Sequence, residues 1–206
     1  MYLPQFFSES DPARLQAAMR ANPFATLTSL ADGRLVATHL PFLIDPRRGP
    51  NGTLMAHMAR ANPHWRAFDG TAEALVVFSG PHGYVSPTWY ERGPAVPTWN
   101  YIAVHAYGAP IVLHDQADTR AHLGQLAALF EAGRERPWRI DGQPGDFIDG
   151  MIKGLVAFEM PIARIEGKAK LSQNRPPTDR ERVAKALRAD GQAALAEAME
   201  SVSLDE

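Results

Sequence analysis

Residues 25–44 read ATLTSLADGRLVATHLPFLI, which is two β-rich runs separated by the dipeptide Asp32-Gly33. An Asp-Gly pair between two such runs is typical of a β-hairpin, because both residues tolerate the positive φ angles of a tight hairpin turn. We therefore predict paired antiparallel strands on either side of Asp32-Gly33, and this hairpin indicates a mainly antiparallel protein.

Further strands and helices extend outward from this hairpin. Strands are predicted over residues 53–59, 73–79, 99–114 and 155–166, with breaks near residues 108–110 and at Pro161. Helices are predicted from Asp11-Pro12, over residues 117–132 and 146–152, and from a capping-box pattern at residues 178–181. Residues 80–97 are rich in Gly, Pro and aromatic residues, so a loop with at most a short strand at residues 84–85 is predicted there.

The order of these elements indicates a mainly β fold with inserted helices, an α+β protein. Long crossover helices are too few for a parallel sheet, which leaves a β-barrel or an α+β layer. We predict one domain over residues 1–176 and a C-terminal helical extension over residues 177–206 that packs on the same domain.

The composition is that of an ordinary globular protein. The chain has 206 residues, no cysteine and a formal net charge of −2. Disulfides, thiolate catalysis and cysteine-ligated metal are therefore excluded, and no overall field attracts nucleic acid or anionic membrane. With neither a signal peptide nor a membrane-spanning stretch in the sequence, a cytoplasmic location is expected.

Residues 57–65, HMARANPHW, lie where a strand is predicted to run into a helix. Free backbone N–H groups at a helix N-terminus suit an anion, and Arg60 adds positive charge, so this segment is a candidate phosphate site. The alternative is that Asn62 caps the helix and Arg60 is solvated.

Two Pro-Thr-Trp triplets, at residues 87–89 and 97–99, flank the predicted loop. Aromatic rings in a loop can stack on a flat ligand or on a partner subunit, and they can equally anchor the loop to the core. Residues 168–176, KAKLSQNRP, concentrate three cations with Ser, Gln and Asn. Such side chains can bind a phosphate and read ring edges, or they can form a polar linker to the last helix.

Other chemistry has little support in the sequence. None of the seven His residues has the His-x-x-x-His spacing that places two metal ligands on one helical face. His39 and His57 fall in predicted strands, so a metal site remains a minor alternative. The sequence contains neither a nucleophile elbow nor a P-loop nor a dinucleotide fingerprint.

Taken together, the motifs resemble the PaiB-type FMN-binding negative transcriptional regulators. The resemblance runs from the N-terminus to about Arg182 and rests on the ordered set of segments rather than on any one of them. These segments are Met1-Tyr2 with Pro4, THLPF (38–42), HMARANP (57–63), SGP (79–81), YVSPTWY (84–90), VPTWNY (96–101) and KLSQN (170–174).

The resemblance implies a split β-barrel of the FMN-binding, pyridoxamine-phosphate-oxidase-like type, usually a homodimer with flavin in the cleft between subunits. Residues 38–41 would run along the isoalloxazine edge, residues 57–62 would cover the phosphate, residues 99–101 would approach from the dimer strand, and residues 170–173 would close the site. The implied FMN contacts are Thr38, His39, Leu40, Pro41, His57, Met58, Ala59, Arg60, Asn62, Trp99, Asn100, Tyr101, Lys170, Ser172 and Gln173.

Three functions follow as alternatives. The first is a flavin-binding regulator. Direct DNA contact has no support from charge or motif, because a DNA-binding protein normally carries a cluster of basic residues on one face. The second is an FMN-dependent oxidoreductase or flavin reductase, by analogy with the fold. The third is a haem-binding or haem-degrading split barrel with His39 or His57 as axial ligand.

Overall fold

A computed structural model describes residues 1–91 and 93–201, and these form two compact units. Unit 1 consists of Met1–Asn22, Val77–His105 and the described part of Glu166–Glu206. Unit 2 consists of Pro23–Val76 and Ala106–Ile165. No helix of the described residues is long and apolar enough to cross a membrane.

The regular elements alternate between strands and short helices along the chain. The strands are β1 (Ser8–Glu9), β2 (Phe24–Ala31), β3 (Arg34–Pro41), β4 (Leu43–Asp45), β5 (Thr53–Ala59), β6 (Ala74–Val85), β7 (Thr98–Gly108), β8 (Ile111–Val112), β9 (Leu155–Pro161) and β10 (Arg164–Lys170). The helices are α1 (Pro12–Ala21), α2 (Gln116–Glu131), α3 (Gly145–Lys153), α4 (Pro177–Ala189) and α5 (Ala193–Ser201), with short 3-10 turns that include Pro63–Ala67.

The hairpin predicted around Asp32-Gly33 is confirmed. Strands β2 and β3 pair antiparallel, with Leu30 opposite Leu35 and Ala31 opposite Arg34. Asp32 and Gly33 both have positive φ angles, 51° and 72°, which is the backbone conformation that a two-residue turn of the I′ type requires.

Unit 2 also contains a four-stranded sheet in the order β4-β5-β9-β8. Strands β5 and β9 pair along their full length, from Thr53 opposite Pro161 to Ala59 opposite Leu155. Phe158 of β9 is fully buried and meets the rings of Phe42 and Phe68 at centroid distances of 6.2 and 4.9 Å. These ring contacts supply much of the apolar packing beneath the sheet.

Unit 1 contains strands in the order β1-β10-β7-β6. Helices α4 and α5 share one hydrophobic core with the ends of strands, and the buried residues of this core are Val85, Tyr90, Leu171, Val183, Ala184, Leu187, Leu195, Ala196 and Met199. The C-terminal helices are therefore part of the core of unit 1. The last residues of the predicted extension, 202–206, lie outside the described part of the chain.

The predicted loop over residues 80–97 is wrong over residues 80–83, whereas the short strand predicted at residues 84–85 is confirmed as the end of β6. Strand β6 continues through Val85, and two of its glycines occupy positions where a larger residue would collide. A Cβ at Gly80 would lie 3.0 Å from Ile102, and one at Gly83 would lie 1.8 Å from the side-chain oxygen of Gln192. The glycines that suggested a loop are there because neighbouring elements approach closely.

The capping box predicted at residues 178–181 is also wrong in position. Helix α4 begins two residues earlier, at Pro177, and its N-cap is Pro176 instead of Thr178, with no side-chain hydrogen bond. Pro at the first helical position is favourable because its φ angle is already helical. In the Ala-rich tail, Asp190-Gly191 predicts a weak point in the last helix, and the structure confirms it, since α4 ends at Ala189 and Gly191 has a φ of 78°.

Candidate functional site

The predicted flavin contacts fall into two groups in the structure, one in each unit. The unit 2 group comprises Thr38, His39, Leu40, Pro41, His57, Met58, Ala59, Arg60 and Asn62. The unit 1 group comprises Trp99, Asn100, Tyr101, Lys170, Ser172 and Gln173.

The four predicted contacts on β3 do not share one face. Successive side chains of a strand point to opposite sides, and the burial pattern shows this directly. Leu40 is buried and Thr38 is half-buried, whereas His39 is exposed and stacks on the ring of Phe24 at a centroid distance of 6.3 Å. The side chains of Thr38 and His39 therefore cannot contact the same edge of a ligand together.

Arg60 follows β5 and is held against the polypeptide backbone. Its Nε donates to the carbonyl of Lys153 at 2.8 Å, and its Nη2 donates to the carbonyl of Leu155 at 2.7 Å. The guanidinium fixes the junction between α3 and β9 and keeps its remaining N–H groups for another acceptor. The segment that follows is a single 3-10 turn, Pro63–Ala67, whose N-cap Asn62 already accepts from His64 N.

His57 and His122 form a buried pair of imidazoles. Nδ1 of His57 lies 3.1 Å from Nε2 of His122, and the rings meet edge to face at 5.3 Å. Burial lowers the pKa of His57, and burial together with the neighbouring His57 lowers the pKa of His122 to about 4. Both rings are therefore neutral near pH 7, and Nδ1 of His57 is already engaged with His122.

A second polar network surrounds His64, and no motif in the sequence predicts its hydrogen bonds. Nε2 of His64 lies 2.8 Å from Ser29 Oγ, and Nδ1 lies 2.8 Å from Thr38 Oγ1. Asn62 Nδ2 donates to the same Thr38 Oγ1 at 3.3 Å. His64 was visible in the motif at residues 57–65, but its partners come from β2 and β3, far away in sequence.

In unit 1, three predicted contacts have structural partners of their own. Asn100 and Ser172 are buried, and Asn100 Nδ2 donates to Ser172 Oγ at 2.9 Å. Ser172 has a φ of 63°, and Gln173 both accepts from Leu171 N and donates to the carbonyl of Ala169. Asn100, Ser172 and Gln173 thus shape the turn after β10, which is the linker interpretation of this segment.

The remaining unit 1 residues build what we call the aromatic–lysine surface, defined by Tyr84, Trp99, Tyr101, Lys168 and Lys170. Trp99 and Tyr84 are both largely exposed, with their ring centroids 6.5 Å apart in an edge-to-face arrangement. Lys168 Nζ lies 5.4 Å from the ring centroid of Tyr101. Lys170 Nζ hydrogen-bonds Thr98 Oγ1 at 2.6 Å and the carbonyl of Trp99.

The positive charges of Lys168 and Lys170 repel one another. Partial burial and the charge of Lys168 lower the pKa of Lys170. The hydrogen bonds of Lys168 and Lys170 go to backbone carbonyls and a hydroxyl, so an anion would relieve the repulsion between two ammonium groups. Lys168 is only 8% exposed and donates to the carbonyl of Tyr2, so Trp99 and Lys170 are the ring and the cation of this surface that match the two parts of FMN, a flat ring system and a phosphate.

Metal chemistry has weaker support. Among the described residues, no three His, Asp or Glu side chains are close enough together to hold a metal ion. The paired imidazoles of His57 and His122 are the nearest approach to a ligand set.

Known proteins resemble this chain in sequence and in fold. A family model described as "Putative FMN-binding domain" matches residues 1–164. The protein "Protease synthase and sporulation protein PAI 2" of Bacillus subtilis is 34% identical over 179 residues, which cover 87% of this chain and 85% of that protein. An uncharacterized protein of Aspergillus fumigatus is 30% identical over 232 residues, covering 89% of each.

Two solved structures resemble the fold. The FAD and heme binding protein from Mycobacterium smegmatis superposes with a TM-score of 0.58 at 23% identity, covering 79% of this chain and 73% of that chain. The flavocytochrome Anf3 from Azotobacter vinelandii gives a TM-score of 0.60 at 18% identity, covering 82% and 72%. At these identities the likeness shows the fold, which is the flavin-binding split β-barrel.

The class of protein is therefore a flavin-binding split barrel. Within that class the chain belongs to the family of FMN-binding domains that includes the PaiB-type proteins, and FMN is the cofactor of that family. The predicted family, fold class and cofactor are confirmed.

The buried pair of imidazoles leads to a prediction about pH. The pKa of His122 is about 4 in the folded protein and about 6.5 when unfolded, so the unfolded chain binds the proton first as pH falls. Stability is fully present above about pH 6.5 and falls between pH 6.5 and 4. Urea unfolding of the flavin-free protein should show a loss of about 2 kcal/mol from this group between pH 7.5 and pH 5.

A matched pair of variants isolates this effect. His122→Gln should remove that part of the pH dependence, whereas His39→Gln, at an exposed position, should retain it. An unchanged pH profile in His122→Gln would show that His122 is not the group responsible.

Proposed function

We propose that this chain is an FMN-binding regulator of the PaiB type that works as a homodimer. The observation that carries the flavin site is the aromatic–lysine surface, where exposed Trp99 lies beside Lys170, an ammonium group that a second lysine already repels. A phosphate would relieve that repulsion, and the isoalloxazine ring would cover apolar area that is otherwise in water.

Unit 2 carries further residues that the resemblance implies as flavin contacts. Thr38 offers a hydroxyl that is already hydrogen-bonded on its protein side, and Arg60 has N–H groups beyond the two bound to carbonyls. The side chain of Asn62 is held by its hydrogen bond from His64 N. Asn62 would therefore act on a ligand indirectly, through its hydrogen bond to Thr38. When bound, FMN supplies redox chemistry, while these side chains bind, orient and shield it.

The homodimer is supported by an apolar stripe on the β2–β3 hairpin. Phe24, Leu30 and Leu35 are 66%, 61% and 77% exposed, and Leu30 lies directly opposite Leu35. Strand β3 stands at the end of the strand order of its sheet, so its outer edge can meet another chain. Exposed apolar residues on an edge strand are costly in water and typical of an interface.

The regulatory role is supported by the similarity to PAI 2 and by the PaiB-type motifs. The chain carries a net charge of −2, and Arg188 of α4, one of the basic residues of the C-terminal helices, pairs with Glu197 and Glu200. We therefore propose that regulation acts through the flavin or a protein partner, without direct binding to DNA phosphates.

The flavin site is tested by comparing FMN with riboflavin, which lacks the phosphate. Lys170→Met should weaken FMN binding by about tenfold or more and riboflavin binding much less, because one charged hydrogen bond is lost. Lys185→Met, which removes an exposed lysine on α4, is the control and should leave both affinities unchanged. Flavin fluorescence titration measures all four values, and equal losses for both ligands in Lys170→Met would contradict a phosphate contact.

The dimer is tested by placing a charge in the apolar stripe. Leu35→Asp should convert the protein to a monomer in light scattering, since two carboxylates would meet in an apolar interface. Leu129→Asp alters a leucine of α2 that is 50% exposed and should leave the mass unchanged. A dimer that persists in Leu35→Asp would place the interface elsewhere.

Direct DNA binding is tested by a gel-shift titration at low salt, where attraction to phosphates is strongest. We expect no shifted band at roughly 1 μM protein. A band that disappears steeply as salt is raised would show a phosphate-binding surface and overturn the indirect mode.

A further inference from the structure

The hydrogen-bond network around His64 has a determined direction, and it starts from a backbone group. His64 N is always a donor, and it donates to Asn62 Oδ1 at 3.0 Å. This contact fixes which end of the Asn62 amide is oxygen, so Nδ2 faces Thr38 Oγ1 at 3.3 Å. Thr38 therefore accepts one hydrogen bond from Asn62.

Ser29 determines the other end of the network. Ser29 is 7% exposed, and its hydroxyl lies 2.8 Å from Nε2 of His64. A buried hydroxyl hydrogen without an acceptor costs more than an unused lone pair. Ser29 thus donates to Nε2, and Nε2 carries no proton.

The tautomer of His64 follows from these two contacts. His64 is 1% exposed, and burial lowers its pKa, so the ring is neutral near pH 7. A neutral ring with an unprotonated Nε2 carries its proton on Nδ1. Nδ1 then donates to Thr38 Oγ1 at 2.8 Å, which is the second hydrogen bond that this oxygen accepts.

Thr38 is left as a donor only. Its two lone pairs are taken by Asn62 and His64, and the one group that it can still offer is its own O–H. Thr38 and Asn62 are half-buried, whereas Ser29 and His64 are buried, so the network reaches accessible surface at Thr38 and Asn62. We propose that His64 and Ser29 are positioning residues that hold Thr38 as an obligatory hydrogen-bond donor to an acceptor atom of the bound ligand.

This inference rests on the proposed function for the identity of the ligand. Oxidised FMN presents acceptors along its ring edge, namely N5 and two carbonyl oxygens, and reduction turns N5 into an N–H donor. The carbonyl oxygens accept in both redox forms, so the preference depends on N5. A donor-only threonine that faces N5 would satisfy the oxidised ring and leave the reduced N5–H without a partner. In that position the network would favour the oxidised flavin, through residues of which only Thr38 contacts the ligand.

The tautomer is tested first, in the flavin-free protein. Long-range ¹H–¹⁵N spectra distinguish a protonated from an unprotonated ring nitrogen, and the spectrum of His64→Gln assigns the signal among the seven His residues. We expect a protonated Nδ1 and an unprotonated Nε2 in His64. The opposite pattern would mean that Thr38 donates inward to His64, which overturns the proposal whether or not FMN binds.

The selectivity is tested by affinity for the two forms of FMN. Thr38→Val keeps the side-chain shape but removes one hydrogen bond. It should weaken the affinity for oxidised FMN by about tenfold and change the affinity for reduced FMN much less. Thr38→Ser restores the hydroxyl and should restore the preference. Ser29→Ala, which does not touch the ligand, should weaken the preference and shift the His64 tautomer signals towards the other form.

Each outcome separates this inference from the proposed function. If the wild-type protein binds neither form of FMN, the proposed function fails, and the spectra still determine the tautomer. If both forms bind but Thr38→Val weakens them equally, FMN binding stands and the contact between Thr38 and N5 is wrong.

Discussion

The buried imidazole of His64 is the interaction on which the architecture of unit 2 depends most. One ring joins Ser29 of β2, Thr38 of β3 and the turn after β5, so two strands and a connection are fastened at one point. A buried ring of this kind is stable only when both nitrogens are satisfied and the ring stays neutral. Because both nitrogens of His64 must be hydrogen-bonded, Thr38 accepts a hydrogen bond from the ring and has its own O–H left to donate on its accessible side.

The sequence predicted those features that depend on local chemistry. The Asp32-Gly33 turn, the start of α1 after Asp11 and the break at Asp190-Gly191 are each fixed by the φ preferences or capping ability of a few adjacent residues. The extension of β6 through Gly80 and Gly83 could not be predicted. These glycines are needed because Ile102 and Gln192, which lie far away along the chain, leave no room for a Cβ atom.

The candidate site shows the same division. The motifs located the right segments, but they could not separate a side chain that faces a ligand from one that supports the segment. Asn100 and Ser172 are hydrogen-bonded to each other inside unit 1, while Trp99, their neighbour in sequence, is exposed. Partners such as Ser29 and His122 were missed because each meets its histidine through a tertiary contact, which has no periodicity or spacing in the sequence.

The helices after β10 have a consequence for how the chain is divided. The family match ends at residue 164, yet Leu171, Val183, Leu187 and Leu195 are among the most deeply buried residues of unit 1. A fragment cut at that boundary would expose the apolar side of β6 to water and lose the residues that cover it. The core of unit 1 therefore extends beyond the matched residues, and helices α4 and α5 belong to it.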